Sequence, residues 1–90
     1  MPRAIVDPAD LRRFAHSLKH FNNELQNHMA VLQGQFIALG DTWRDQEHEK
    51  FAQDFTQTVQ VINHFLEATN QHIPFLVRKA EKIEEYLQQR

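Results

Sequence analysis

The segment GDTWRDQEHEKF, residues 40–51, holds the only tryptophan of the chain and separates two long stretches of helical periodicity. Gly40 ends the first stretch. Thr42 and Asp45 predict the start of a second helix, either as a capping box or with Asp45 itself as the cap. A connection of about five residues between two long helices forces an antiparallel hairpin. The segment therefore predicts an all-α fold with Trp43 at the turn.

The first helix is predicted over residues 8–39. Asp7 is a good N-cap, and Pro8 suits the first helical position, where a missing N–H costs nothing. Apolar residues then recur at steps of three and four, which is the spacing of one helix face. They are Leu11, Phe14, Leu18, Phe21, Leu25, Met29, Leu32, Phe36 and Leu39.

The second helix is predicted over residues 45–88, with a similar row on one face. That row is Phe51, Phe55, Thr58, Ile62, Leu66, Thr69, Ile73, Leu76, Ala80, Ile83 and Leu87. Pro74 has no N–H to give to Asn70, so we expect a kink near it. The row keeps its phase across Pro74, which favours one kinked helix over two separate ones. At 1.5 Å per residue this helix would outrun the first by about a dozen residues.

The composition excludes several functional classes. Ninety residues allow one small domain, expected over residues 1–90. The net charge is -2 and the basic residues are scattered, so no nucleic-acid partner is expected. The chain has no cysteine for disulfides, thiol catalysis or zinc. No apolar run is long enough for a membrane span, and the N-terminal segment MPRAIVDPAD does not resemble a cleavable signal peptide.

Six histidines suggest a metal site, since His16 and His20 lie one turn apart and His64 is expected at the level of His20. All three fall outside the apolar rows, and no carboxylate is placed to complete a tetrahedral set. We therefore predict exposed histidines, no metal and no other cofactor. Ser17 follows His16 without a positioned acid, and sequence neighbours on a helix do not face each other. We expect no catalytic residue, and hence not an enzyme.

The apolar rows are wider than one contact between two helices requires, because further apolar residues such as Val31 and Val61 flank them. A band of this width fits a four-helix bundle, so we predict that two hairpins pair into a dimer. The partner is either a second copy, giving a homodimer, or a sister helical hairpin, giving a heterodimer. The predicted interface residues are Leu18, Leu25, Leu32, Phe36, Phe55, Ile62, Phe65 and Leu66.

The charged tail RKAEKIEEY, residues 78–86, has two interpretations that the sequence leaves open. It is either a recognition segment, free because it overhangs the shorter helix, or a solvated helix face. In the second case charges three and four residues apart, such as Arg78 and Glu81, stabilise one another.

Several of these features together resemble one family, the WXG-motif proteins, which are small early-secreted-antigen-like substrates of type VII secretion. The segment VDPADLRRFA at residues 6–15 is similar to their common opening, Trp43 is central, and Phe51 follows it by eight residues. The resemblance implies a helical hairpin that dimerises, with a turn motif formed by Trp43, Arg44, Asp45 and Phe51. Trp43 is then expected to cover the end of the bundle over Leu39 and Phe51.

Two positions depart from the family pattern. Asp45 stands where the family has glycine, although Asp tolerates a left-handed backbone and also caps helices. Many members carry an export motif of Tyr, three residues and an acid, whereas here Tyr86 is followed by LQQR, with Arg90 in the acidic position.

The resemblance implies a non-catalytic interaction protein that is secreted without a cleavable signal peptide, or handed to a type VII secretion machine. The alternative is a cytoplasmic dimeric adaptor or chaperone that pairs with a larger helical partner and is not exported. Arg90 favours the alternative, and the family resemblance favours export.

Overall fold

The computed structural model describes residues 6–89, which form two helices, α1 (Pro8–Leu39) and α2 (Gln46–Gln88). Arg12 near the start of α1 lies beside Glu84 near the end of α2, and Phe36 lies beside Phe51. The two helices are therefore antiparallel, and the predicted all-α helical hairpin is confirmed. Residues 1–5, where the sequence predicts no export signal, and Arg90 lie outside the described part of the chain.

The first helix begins at a capped proline and ends in a tight turn. The Asp7 carboxylate accepts a hydrogen bond from the Ala9 N–H at 2.9 Å, and Pro8 occupies the first turn. At the other end Gly40 has a right-handed backbone, with φ −61°, so it is not the left-handed glycine that often ends a helix. A Cβ there would lie 3.2 Å from the Ile37 carbonyl oxygen. Close approach to the backbone therefore favours glycine at this position.

The second helix begins at Gln46, one residue after the predicted start, because Asp45 is its N-cap. Asp45 has an extended backbone, and its carboxylate accepts a hydrogen bond from the His48 N–H at 3.0 Å. Thr42 does not cap this helix; its hydroxyl lies 3.4 Å from the Leu39 carbonyl oxygen. The helix continues through Pro74, and a bend at that residue stays a prediction.

The contact between the two helices, called the seam below, does not follow the centre of the predicted apolar rows. Ala15 and Asn22 are buried at 2% and 1% exposure, whereas Phe14 and Phe21 are 58% and 53% exposed. Ala80 is fully buried on α2. Small side chains on both helices allow their backbones to approach, and a phenylalanine ring would not fit between them. Phe14 and Phe21, members of the predicted apolar row, therefore lie outside the contact between the two helices.

At the open end, where α1 starts and α2 stops, an ion pair joins the two helices, and the overhang of α2 stays a prediction. Arg12 and Glu84, each about one turn from the terminus of its helix, are joined by two hydrogen bonds of 2.9 and 2.7 Å. At the turn end, His48 in the first turn of α2 packs against Phe36 near the end of α1.

Candidate functional site

The connection between the helices is held by backbone hydrogen bonds and by a cluster of aromatic rings. The Trp43 backbone N–H donates to the Leu39 carbonyl oxygen at 2.9 Å, which joins the turn to the end of α1. Its ring meets the His48 imidazole edge-on, with centroids 5.0 Å apart, and lies 6.0 Å from the Phe51 ring. The Trp43 side chain is half-buried, so the ring covers the turn end of the hairpin.

Three phenylalanines continue this cluster between the helices. The Phe36 ring lies 4.6 Å from that of Phe55 and 5.7 Å from that of Phe51, measured between centroids. The Phe51 and Phe55 rings are stacked at 6.0 Å. Aromatic pairs at these separations each add about 0.5–1.5 kcal/mol beyond the area that they bury. The turn end is consequently a compact aromatic block.

His48 belongs to this block, although the sequence predicts exposed histidines. Its imidazole is stacked on Phe36 at 5.4 Å with an interplanar angle of 9°, and its Nε2 atom is buried without a hydrogen-bond partner. The signal for this position was present, because His48, Phe51 and Phe55 follow one another at helical spacing. The apolar pattern does not include His48, because histidine is classed as a polar residue.

The predicted turn motif falls into two pairs. Trp43 and Phe51 lie in the aromatic block, while Arg44 and Asp45 are exposed. Asp45 has φ −109° and ψ −177°, an extended conformation that any residue adopts. No residue within 6–89 has a positive φ. The position of the family glycine thus does not require a left-handed backbone in this chain. The Asp45 side chain at this position instead accepts the hydrogen bond that caps α2.

A broad apolar surface, called the apolar face below, lies on one side of the hairpin. The residue just before a buried one is rotated by about 100° around a helix, and in antiparallel helices this step turns both helices toward the same side. Phe21 and Phe65 meet there edge-to-face, with centroids 6.2 Å apart and an interplanar angle of 85°. The exposed large side chains of the apolar face are Phe14, Phe21, Leu32, Leu39, Phe51, Phe65 and Leu87.

The eight predicted interface residues differ in how far they are buried in the single hairpin. Leu66 is buried in the seam. The half-buried members are Leu18, Leu25, Phe36, Phe55 and Ile62. Leu32 and Phe65 are exposed, at 46% and 42%. Sequence reasoning omitted Phe14 and Phe21 from this set, although both are more exposed than either.

Asn22 is the one fully buried large polar side chain in the described part of the seam. Its Nδ2 atom donates to Thr69 Oγ1 and to Asn70 Oδ1, both at 2.9 Å, while its own Oδ1 has no partner. A buried amide of this kind lowers stability but fixes one register between helices, as a single Asn does in coiled coils. We infer that Asn22 sets which residues of α1 and α2 lie side by side.

The histidines predicted to remain free of metal lie on different sides of the hairpin. His16 and His20 line an open cavity of about 610 Å³ along α1, together with His28 and Glu24. His64 lines a separate cavity of about 480 Å³. Within residues 6–89 no three His, Asp or Glu side chains are grouped as metal ligands.

The open end is joined by an ion pair at the surface. The hydrogen bond from Arg12 lowers the pKa of Glu84 below its ordinary value, and the same bond raises the pKa of Arg12. Both side chains are well exposed, so water and salt screen the pair.

Comparison with known proteins identifies the family. Neither helix within residues 6–89 carries an apolar stretch long enough to cross a bilayer. No curated protein and no solved structure matches the chain. The family WXG100, described as proteins of 100 residues with WXG, matches residues 4–87, nearly the whole chain, despite Asp45 in the glycine position. The hairpin, the tryptophan at its turn and this match agree: the chain belongs to the WXG100 family of small, helical, secretion-related proteins.

Proposed function

We propose that this chain is a non-catalytic interaction protein whose apolar face pairs with a second helical hairpin, and that the pair is a substrate or component of type VII secretion. The observation that carries the pairing is the exposure of Phe14, Phe21 and Phe65 on one side of the hairpin. The family carries the link to secretion, since its members are small helical proteins of that kind.

The hairpin alone has a small core. Its buried apolar side chains are Ala15, Met29, Leu66 and Ala80, and two of these are alanines. Small domains bury a low fraction of their surface and need additional support, such as oligomerisation. A second hairpin over the apolar face would bury its phenylalanine and leucine side chains and form a four-helix bundle.

The free energy gained by burying the apolar face favours a stable pair. Burying the seven exposed side chains of the apolar face contributes about 10 kcal/mol per chain, at roughly 1.5 kcal/mol each. Association and side-chain ordering cost a substantial part of that gain. The gross gain is comparable to the entire net stability of a small domain, about 5–15 kcal/mol. We therefore expect the paired form to dominate at micromolar concentration, with a second copy as the simplest partner.

Sedimentation equilibrium tests the pairing. The wild-type chain is expected to be a helical dimer at micromolar concentration, and Phe21→Asp is expected to weaken the dimer by at least tenfold. Val31→Asp is the matched control, because Val31 is 60% exposed but lies outside the apolar face. A wild-type chain that is a cooperatively folded monomer at every concentration contradicts the proposal. A chain that folds only with a co-expressed sister hairpin identifies a heterodimer.

Export is tested separately in the source cells. Immunoblots of culture supernatant and cell lysate, with a cytoplasmic protein as the lysis control, are expected to show the chain outside the cells. Deleting the membrane ATPase of the secretion machine should abolish that signal. Retention inside intact cells would instead support the cytoplasmic adaptor, the function that Arg90 in place of the acidic export residue favours.

A further inference from the structure

The outer surface of α2 near its C-terminus carries a basic and aromatic patch that the pairing does not use. Phe75, Arg78, Lys79 and Lys82 line an open cavity of about 430 Å³ and are called the basic ridge below. The Phe75 side chain is 65% exposed, and the Arg78 Cζ atom lies 5.8 Å from the centre of its ring. Three cations thus surround one exposed ring within about two helical turns.

The cations of the basic ridge have no acidic partner in the described part of the chain. The ion pairs within 4 Å there are Arg12 with Glu84 and Arg13 with Asp10. Charged side chains of a helix surface commonly pair with carboxylates three or four residues away. Arg78 instead lies over the Phe75 ring, a cation–π arrangement that leaves guanidinium N–H groups available for a bidentate carboxylate.

The position of the ridge keeps it accessible when the apolar face is covered. Ala80, fully buried in the seam, is on the opposite side of α2 from Phe75, since five residues turn a helix by about 140° beyond one full turn. Phe75 is also rotated by roughly 80° from Phe65 of the apolar face. A hairpin bound to that face therefore leaves Phe75, Arg78 and Lys82 in solvent.

We propose that the basic ridge binds an acidic helical segment of another protein. Phe75, Arg78 and Lys82 occupy positions i, i+3 and i+7, a row about 10 Å long. A partner helix with carboxylates one turn apart and one apolar side chain matches this row, with the carboxylates on the cations and the apolar group on Phe75. Carboxylates held by Arg and Lys form the stronger, charge-assisted class of hydrogen bond.

The surroundings of the ridge favour a polypeptide over a lipid surface. Glu81 and Glu85 are exposed on the same part of α2, and their charges oppose an extended anionic surface. Phe75 is the one large apolar side chain lining the ridge, which is little for insertion into a bilayer. A single acidic helix can bind in a register that keeps its carboxylates away from the two glutamates. The row formed by Phe75, Arg78 and Lys82 is independent of the dimer proposal, because these three residues lie outside the apolar face, whereas Lys79, just before the buried Ala80, lies at the edge of that face.

Fluorescence anisotropy with a defined probe tests the ridge. The probe is a fluorescein-labelled helical peptide of about 18 residues, long enough to be helical in water, with glutamates one turn apart and a leucine between them. A second peptide carries glutamine in place of each glutamate. The wild-type chain is expected to bind the acidic peptide at least tenfold more tightly than the glutamine peptide, with affinity falling as salt is added.

The variants separate the ridge from general charge attraction. Arg78→Glu with Lys82→Glu is expected to weaken binding of the acidic peptide by at least tenfold, and Phe75→Ala by a few-fold. The matched control, Lys19→Glu with Lys50→Glu, makes the same change in net charge at exposed sites outside the ridge and should stay within twofold of wild type. Circular dichroism and sedimentation are expected to show unchanged helicity and oligomeric state in all variants.

Three results would overturn the proposal. Equal loss in the control shows that only net charge matters. Binding to phosphatidylserine vesicles without binding to the acidic peptide identifies a lipid surface as the occupant. Altered self-association of the ridge variants identifies a second copy as the occupant. A monomeric wild-type chain that still binds the peptide through the ridge would contradict the dimer and leave this inference intact.

Discussion

The two ends of the hairpin are held together by opposite kinds of side chain. At the turn end the centroid of the His48 ring lies 5.4 Å from that of Phe36 and 5.0 Å from that of Trp43. At the open end Ala15 and Ala80 are buried to 2% and 0% exposure, and an exposed ion pair joins the helices. At the turn end large aromatic rings fill the space between the two helices. At the open end small alanines allow the helices to approach so closely that little space remains to be filled.

This difference determines where the aromatic residues are available to a partner. At the turn end Phe36 and Phe55 pack within the hairpin. At the open end the alanine of the seam displaces its neighbour Phe14 onto the surface. Under the proposed pairing, the open half of the hairpin would therefore gain most from a second chain, whereas the turn end packs its own aromatic core.

The largest expected effect is at the turn end. Trp43→Ala removes the ring that covers His48 and Phe51, and we expect it to cost about 3 kcal/mol, the low end for a large aromatic, since the site is half-buried. Urea unfolding followed by circular dichroism at fixed protein concentration measures it. The control is Phe75→Ala, which removes an exposed ring outside the block and should leave stability nearly unchanged. Equal stability of the Trp43 variant and wild type would contradict a structural role.

The next effect tests close approach at the open end. Ala80→Leu adds three carbons to a position with no exposure, so we expect overpacking to cost about 2 kcal/mol. Ala30→Leu is the matched control, because Ala30 is exposed on α1 and should tolerate the same change. If both variants unfold at the wild-type urea concentration, the helices are not in close contact at Ala80.

A smaller effect of opposite sign is expected in the middle of the seam. Asn22→Leu replaces an amide whose Oδ1 has no partner with an apolar group of similar size, so stability should rise by about 1 kcal/mol. The register should become less unique, seen as broadened amide resonances along α1. A destabilised variant with sharp resonances would show that the hydrogen bonds to Thr69 and Asn70 outweigh the unpaired oxygen.

At the start of α2, substitution of Asp45 is expected to change the free energy of unfolding by no more than the Asn22 substitution does. Asp45→Leu removes the cap on the His48 N–H and should cost about 1 kcal/mol, while Asp45→Gly, which restores the family tripeptide, should cost only a few tenths. Asp45→Asn, which keeps a capping oxygen, is the control. Identical thermal midpoints for the Asp and Leu proteins would exclude the capping role.

The smallest effect is expected at the ion pair of the open end, and it depends on pH. The pKa of Glu84 is lower in the folded chain than its ordinary value, so the pair stabilises the fold above that ordinary pKa. The contribution is lost as the pH falls through the lowered pKa. Glu84→Gln should therefore narrow the stability difference between neutral and acidic solution. Thermal melting at several pH values measures this difference. If the melting temperatures of wild type and the Glu84→Gln variant change with pH in parallel, the ion pair does not contribute to stability.

Much of the hairpin was predictable because its signals are local. Asp7 and Pro8 mark the start of α1, and the short connection around Trp43 forces the chain back on itself. The orientation of the seam was not predictable from the periodic pattern. That pattern counts Phe14 as core and Ala15 as neutral, and only the fit between two helices decides which of them faces inward.

The candidate site shows the same limit. An apolar row indicates that a helix buries a face, but its width does not say which part meets the neighbouring helix and which part meets another chain. Leu66 and Phe65 are adjacent in sequence, yet Leu66 is 4% exposed and Phe65 is 42% exposed. The packing of His48 could not be predicted from the sequence pattern either, because it depends on contacts with Phe36 of α1 and Trp43 of the turn.

The single tryptophan gives the optical spectroscopy of this protein an unusual property. The molecule is 68 Å long, and its tryptophan fluorescence reports from the turn end alone. Far-ultraviolet circular dichroism reports from all residues of both helices. The two signals coincide during unfolding only if both ends lose structure together. If the open end unwinds first, ellipticity will fall while the emission of Trp43 stays native, so the offset between the two curves measures how independently the ends unfold.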